Sequence, residues 1–391
     1  MRSALRSTLV GLLVAVGGPM LMYVGFISLL GVSSFEARMI YQHRATVDAR
    51  DLNVPEQVGY SHRQVIPFNI ATLDGLKLHA WHILPIGLYY KHIADLQNGE
   101  GGLQDIEQTL NFRLLRDDQE ARLVLHCHGS RGDLGWSWRP DNHRALAAAA
   151  PDKIHVLAFD YRGFGLSEGS PTETGLQTDA LSVFKWATDV AKIPPERIAI
   201  FGQSLGAGVA ISLARELALR NISVAGIITE GGFTDVPTLC TTYRVAGFLP
   251  VAMPLVKFPV LMNYFVSRLI NTWENKGRLV DYIQASERYH IQLIHAEDDP
   301  IVPLSHCDEL FRHAVNATAS NQLGLEKFDR EKTASKTELG QVGFITEWTT
   351  PKGLIRQEVF RFGLHDKILS FPLNGLAVLR AFQSVDPSFA A

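Results

Sequence analysis

The chain has 391 residues, 46 % of them apolar, enough to bury a large core, and a net charge of −3 from 37 Lys+Arg and 40 Asp+Glu. Those charges are dispersed, with no basic tract or acidic tail, so the electrostatic footprint of a nucleic-acid binder is absent. Cys127, Cys240 and Cys307 lie far apart and form no CxxC pair, which excludes a disulfide framework and a cysteine-rich zinc site, and no metal or cofactor is called for.

Residues 9–32 carry no charge, with Arg2 and Arg6 before them and Glu36 and Arg38 after. As a helix this run is long enough to cross the ~30 Å core of a bilayer. The competing reading is a cleaved signal peptide, but its apolar region usually spans only about 7–15 residues. The exit, Gly31-Val32-Ser33-Ser34-Phe35, is also an indifferent cleavage site. Residues 1–35 are therefore read as a retained single-pass anchor. Arg2 and Arg6 on one side face Arg38, Arg44 and Arg50 on the other, a balance that leaves the orientation open.

Residues 36–60 read as a polar connector, and 61–391 as one catalytic domain. Segments 64–72 and 76–84 flank Asp74-Gly75, a hairpin signal that predicts two antiparallel strands. Residues 86–120 read as an irregular insertion. Short apolar runs then recur at 122–127, 154–159, 197–201, 224–229 and 291–295, each at the length of a buried strand. Helix-like stretches at 174–191, 204–219 and 305–315 fall between or after them. Segments 344–349 and 354–360 read as a last β unit, followed by a closing helix at 372–384. This alternation predicts an α/β fold with a mostly parallel sheet covered on both faces. Two regions stand outside it: an apolar insertion at about 234–286, read as a cap over a pocket, and a polar surface excursion at 316–341.

The chemistry centres on Gly202-Gln203-Ser204-Leu205-Gly206, set between an apolar strand and a helix rich in Ala and Leu. That context marks G-x-S-x-G as a nucleophile elbow: a tight turn lifts the Ser204 hydroxyl clear, and Gly202 and Gly206 remove side chains that would clash. The following helix aims its N-terminal amides at developing negative charge. A serine hydroxyl is a weak nucleophile, so an acid and a base should follow it in chain order. Asp299, in Glu297-Asp298-Asp299-Pro300-Ile301-Val302-Pro303, is the acid by its spacing, with Asp298 and Glu297 as fallbacks. His365, in a loop after a β segment and before the last helix, is the base; His295 and His306 are the rivals. For the oxyanion hole the donors are the N–H groups of Leu205 and of Ser130, the latter in the His128-Gly129-Ser130 loop. Asp160 and Arg162 are read as structural, and a His155-x4-Asp160 acyltransfer pattern is discounted because residues five apart on a strand face opposite sides. Asn221-Ile222-Ser223 and Asn316-Ala317-Thr318 are candidate glycosylation sequons.

Together these residues resemble the α/β-hydrolase superfamily, and within it the membrane-anchored ABHD lipases, on the branch of monoacylglycerol and lysophosphatidylserine lipases. The resemblance covers roughly residues 60–385. It rests on His128-Gly129-Ser130, the 159–165 turn Phe-Asp-Tyr-Arg-Gly-Phe-Gly, the elbow, His295 to Pro303, and the late His365. It implies a serine esterase acting on a lipid ester at a membrane, in the endoplasmic reticulum with the catalytic domain lumenal. Two features depart from the pattern: the length of 316–341 and the Gly363-Leu364-His365-Asp366 setting of the base. The alternatives are an acyl-protein thioesterase or serine peptidase of the same fold, and a non-enzymatic binding protein.

Overall fold

The computed structural model describes residues 2–29, 32–44, 50–245, 249–250, 252–319 and 324–390. Outside the described residues lie 30–31 of the expected anchor, 45–49 of the connector, 246–248 and 251 of the cap, and 320–323 of the excursion.

Ten strands form one sheet. In chain order they are β1 (Val65–Ala71), β2 (Lys77–Ile83), β3 (Arg122–Cys127), β4 (Ile154–Phe159), β5 (Ile198–Gln203), β6 (Gly226–Glu230), β7 (Tyr289–Ala296), β8 (Lys336–Glu338), β9 (Gly343–Thr350) and β10 (Gly353–Phe360). Across the sheet the order is β1-β2-β4-β3-β5-β6-β7-β10-β9-β8. The run from β4 to β10 in that order is parallel, and antiparallel pairs close both edges.

The inner strands are buried on both faces because their residues are mostly apolar, and alternate residues go to opposite layers. On β3, Leu123, Leu125 and Cys127 enter one core with helices α4 (Glu173–Lys185), α5 (Leu205–Ala218), α8 (Asn275–Ala285) and α9 (Leu304–Thr318). Val124 enters the other with α3 (Arg139–Ala147) and α11 (Leu373–Gln383). The register aligns Cys127 with Gly202 and Gln203 with Glu230, so β3, β5 and β6 end level. Ligand sites of such sheets lie beyond the carboxyl ends of the strands.

Several expectations change. Residues 86–120 are not irregular: they hold short helices Ile86–Lys91, Ile93–Gln97 and Leu110–Arg116. The excursion contains α10 (Leu325–Ala334) and contributes β8 as a sheet edge, because Phe328 packs on Phe311 and ties it to the body. The end of the expected cap, 275–285, is α8, which belongs to the core layer because Leu279 and Ile283 are fully buried there. The remainder of the expected cap holds α6 (Val236–Thr242) and α7 (Pro259–Arg268).

At the N-terminus, α1 (Arg2–Leu29) is followed by α2 (Ser33–Ile40). Among the described residues no single helix is long and apolar enough to cross a membrane; Gly17–Leu29 and Ser34–Ile40 pass only as a pair bent by 95°. The connector is not a free linker, because Glu36 and Tyr41 are completely buried. The Glu36 carboxylate accepts from the N–H groups of Ile270 and Asn271 and from Asn271 Nδ2, and Tyr41 donates to Asn271 Oδ1. Of the two sequons, Asn221 is exposed, whereas Asn316 lies within α9 with its Oδ1 buried.

Candidate active site

Ser204 joins β5 to α5 with φ 54° and ψ −115°, a conformation costly for any residue with a side chain. The surrounding packing enforces it. A Cβ on Gly202 would lie 2.1 Å from the Gly206 carbonyl oxygen, and one on Gly206 would lie 1.9 Å from that of Cys127. Only glycine permits this approach, which presses the first turn of α5, carrying the Leu205 N–H, against the backbone that leads into His128-Gly129-Ser130.

That loop is held from behind by Arg139, the first residue of α3. Its guanidinium donates to the carbonyls of Gly129 at 2.8 Å, Ser130 at 3.2 Å, and Arg131 and Asp133 at 2.5 Å each. No feature of the sequence singled out Arg139, since its four acceptors are backbone atoms without a residue signature. Beneath the loop, His128 Nε2 lies 3.3 Å from Asp160 Oδ1, both fully buried. Burial holds the His128 ring well below its usual range and Asp160 well above the carboxylate range. His155 instead stacks on His82 with centroids 5.2 Å apart, so it does not join Asp160. Arg162 ties Asp74 of the hairpin turn to Asp179 of α4.

The other candidates come from the loops after β7 and β10. His365 Nδ1 lies 2.7 Å from Asp299 Oδ2, while Asp299 Oδ1 accepts from the N–H groups of Ile301 and Val302. Burial pulls the His365 ring down, but the Asp299 hydrogen bond and charge, with the charge of Asp366, outweigh it and raise its pKa above the ordinary 6.5. Burial likewise pushes Asp299 up, and its bond to His365, the charges of His365 and His295, and the Val302 N–H together bring it below the usual carboxylate range.

Asp298 acts on the backbone instead. Its Oδ1 accepts at 2.8 Å from the N–H of Leu364, which sits at φ 50° immediately before His365. Of the rival histidines, His295 donates toward the Val302 carbonyl and lies 3.7 Å from the same Asp299 oxygen that His365 holds more closely. His306 bonds Thr234 and Thr242 at the base of the cap.

Ser204 and His365 both border the Glu230–Gly231 turn. The Ser204 N–H bonds the Glu230 carbonyl, and a Cβ on Gly231 would come within 3.1 Å of the His365 ring. Among the described residues no hydrogen bond joins the Ser204 hydroxyl to His365; in ligand-free sites such bonds are often long and tighten on substrate binding. Glu230 itself is buried at the end of β6, and burial pushes its pKa well above the carboxylate range.

A mostly parallel sheet with a serine on the strained turn after a central strand, and a His–Asp pair on neighbouring loops, defines an α/β hydrolase. The chain belongs to the alpha/beta hydrolase family, whose model matches residues 123–320. It is similar to the lysophosphatidylserine lipase ABHD12 of Danio rerio, 26 % identical over 293 residues that cover 74 % of this chain and 68 % of the relative. The ABHD12 lipase of Xenopus tropicalis is 29 % identical over 270 residues, 68 % of this chain and 62 % of its own. Human protein ABHD12B is 31 % identical over 198 residues, half of each chain. The match thus spans between half and about two thirds of these relatives' lengths. The expected likeness to ABHD-type lipases is borne out.

Proposed function

We infer that this chain is a membrane-anchored serine hydrolase that cleaves the acyl ester of a lysophospholipid or monoacylglycerol through an acyl enzyme. The observation that carries the reading is the 2.7 Å contact of His365 Nδ1 with Asp299 Oδ2 on loops beside the strained Ser204 turn. In this reading Asp299 fixes the ring so that Nε2 faces the nucleophile. His365 takes the Ser204 proton as Oγ attacks the ester carbonyl, and the N–H groups of Leu205 and Ser130 hold the oxyanion. The protonated ring then gives its proton to the departing glycerol oxygen. Water, deprotonated by His365, attacks the acyl enzyme and releases the fatty acid and free Ser204.

Three observations favour a lipid. Relatives are named lysophosphatidylserine lipases; the apolar segment 236–273 follows directly on the site; and residues 9–32 have the length and composition of an anchor. The test is full-length chain in vesicles, treated with a fluorophosphonate probe and assayed on lysophosphatidylserine, monoacylglycerol and a palmitoyl-thioester peptide. Labelling and oxygen-ester cleavage that vanish in Ser204→Ala support the reading. Equal labelling of wild type and Ser204→Ala overturns the nucleophile, and cleavage of the thioester alone overturns the substrate class.

A further inference from the structure

The two longest stretches of this chain without an acidic residue are 1–35 and 236–273. The second carries three cations, Arg244, Lys257 and Arg268, within a strongly apolar sequence. The fold packs these two stretches on each other. Ile27 of α1 is buried against Leu255 and Phe265 of the cap, with Tyr23, Phe26 and Met262 alongside. The Ser28 and Tyr264 hydroxyls lie 3.3 Å apart, so α7 runs beside the last turns of α1. Behind this contact, the Glu36 carboxylate of α2 clasps the backbone of Ile270 and Asn271 and ties α2 to the chain that follows α7.

Both packed helices carry exposed aliphatic side chains: Val260 is 81 % exposed and Val256 58 % beside α7, and Leu21 and Met22 are 75 % and 77 % exposed on α1. Large exposed apolar surface marks docking sites. With α1 read as an anchor, Tyr264, whose hydroxyl lies 3.3 Å from that of Ser28 in the last turn of α1, lies near the end of that anchor, the level at which interfacial helices sit in the boundary of headgroups and acyl chains. Lys257 and Arg268 bracket α7, at the positions from which their long stems reach lipid phosphates.

We propose that α7 and the preceding residues 253–258 form a second membrane contact, lying in the interface of a phospholipid bilayer beside α1 with Lys257 and Arg268 on the phosphates. The contact rests on the reading of α1 as an anchor, and it fixes the cap in the layer from which a lipid ester would be drawn.

The test uses full-length chain in a Cys240→Ser background, reconstituted into phosphatidylcholine vesicles with and without phosphatidylserine. A bimane probe is placed at Val260→Cys, or at Gln119→Cys beside the opposite, N-terminal end of β3. Brominated lipid should remove about half or more of the Val260→Cys fluorescence and leave Gln119→Cys unchanged, as shallow insertion requires. Adding Lys257→Gln and Arg268→Gln should reduce the quenching. A chain that floats with the vesicles while the Val260→Cys probe stays unquenched overturns the docking surface and leaves the anchor standing. A chain that stays in the aqueous phase overturns both.

Discussion

At the scale of single residues, the geometry assigns unlike roles to neighbours of like chemistry. Asp299 bonds the His365 ring and raises its pKa, whereas Asp298, one position earlier, holds the backbone that presents that ring. In the proposed reaction a protonated ring cannot accept the serine proton, so activity should be lost as pH falls through the raised pKa. The acid limb of kcat/KM should therefore have its midpoint above 6.5, and a wild-type midpoint at or below that value would count against His365 as base. Asp299→Asn removes the largest cause of the rise and should lower kcat by about 10⁴-fold. Asp298→Ala leaves the pair intact but frees the left-handed Leu364; a loss of about 10²-fold is expected from a displacement on the order of 1 Å. Equal losses in the two variants, measured with the same ester, would mean that Asp298 also carries charge to the base. Arg139 acts at the opposite wall. Removing its fork from four carbonyls in Arg139→Met should cost about 10²–10³-fold in kcat with little change in KM, the signature of a misaimed oxyanion donor. Arg139→Lys should not restore the rate, because one ammonium cannot span those acceptors. Circular dichroism matching wild type separates this from unfolding.

At the scale of elements, the turn between β5 and α5 depends on two glycines whose absence of side chains is structural. Gly206→Ala would set a methyl 1.9 Å from the Cys127 carbonyl oxygen, a backbone atom that cannot move without shifting β3. The variant should lose at least about 3 kcal/mol, seen as a lower urea midpoint, together with all probe labelling. Retained stability with retained labelling would contradict the packing of α5 on β3. The turn was legible in the sequence because its chemistry is local: a buried strand, two glycines at fixed offsets and a helix that starts at once. The same holds for β3 and β4, whose unbroken apolar runs match the observed strands residue for residue. Asp299 and His365 were candidates because the order of loops around a parallel sheet is fixed by topology, and the structure brings their side chains to 2.7 Å. What stayed hidden depends on distant contacts. Lys336–Glu338 reads as polar coil and becomes a strand only because Phe344 to Thr346 offers it an edge. Residues 275–285 look like the end of the cap and belong to the core because Leu279 and Ile283 find a helix layer already in place. Arg139 and Glu36 bond mainly to backbone, and backbone acceptors and donors leave no residue pattern to read.

For the molecule as a whole, the consequence of Glu36 is that α2 is tied to the chain returning from α7. The buried carboxylate spans from α2, just after α1, to the chain returning from α7, and Asn271 passes the link on to Tyr41 and to the N–H of Glu173 at the start of α4. Glu173 in turn bonds the Trp273 N–H and pairs with Arg278 on α8, so the network ends on the core layer itself. Residues 252–273 held in this way cannot tilt without disturbing α2. Glu36→Ala strands two backbone N–H groups and one side-chain amide in a buried setting, each at a cost of about 1–3 kcal/mol when unpaired. That loss is local, because all three donors belong to Ile270 and Asn271 on the return from the cap. Amides in 252–273 should exchange with solvent faster by about tenfold or more, while those of α5 keep their wild-type protection. Ester turnover should fall more for a long-chain lipid than for a short soluble ester, since only the former depends on where the cap is seated. Unchanged exchange in 252–273 would show that the cap is held by its apolar contacts alone. Faster exchange throughout α5 would place Glu36 in global stability and not in the tie of α2 to 252–273.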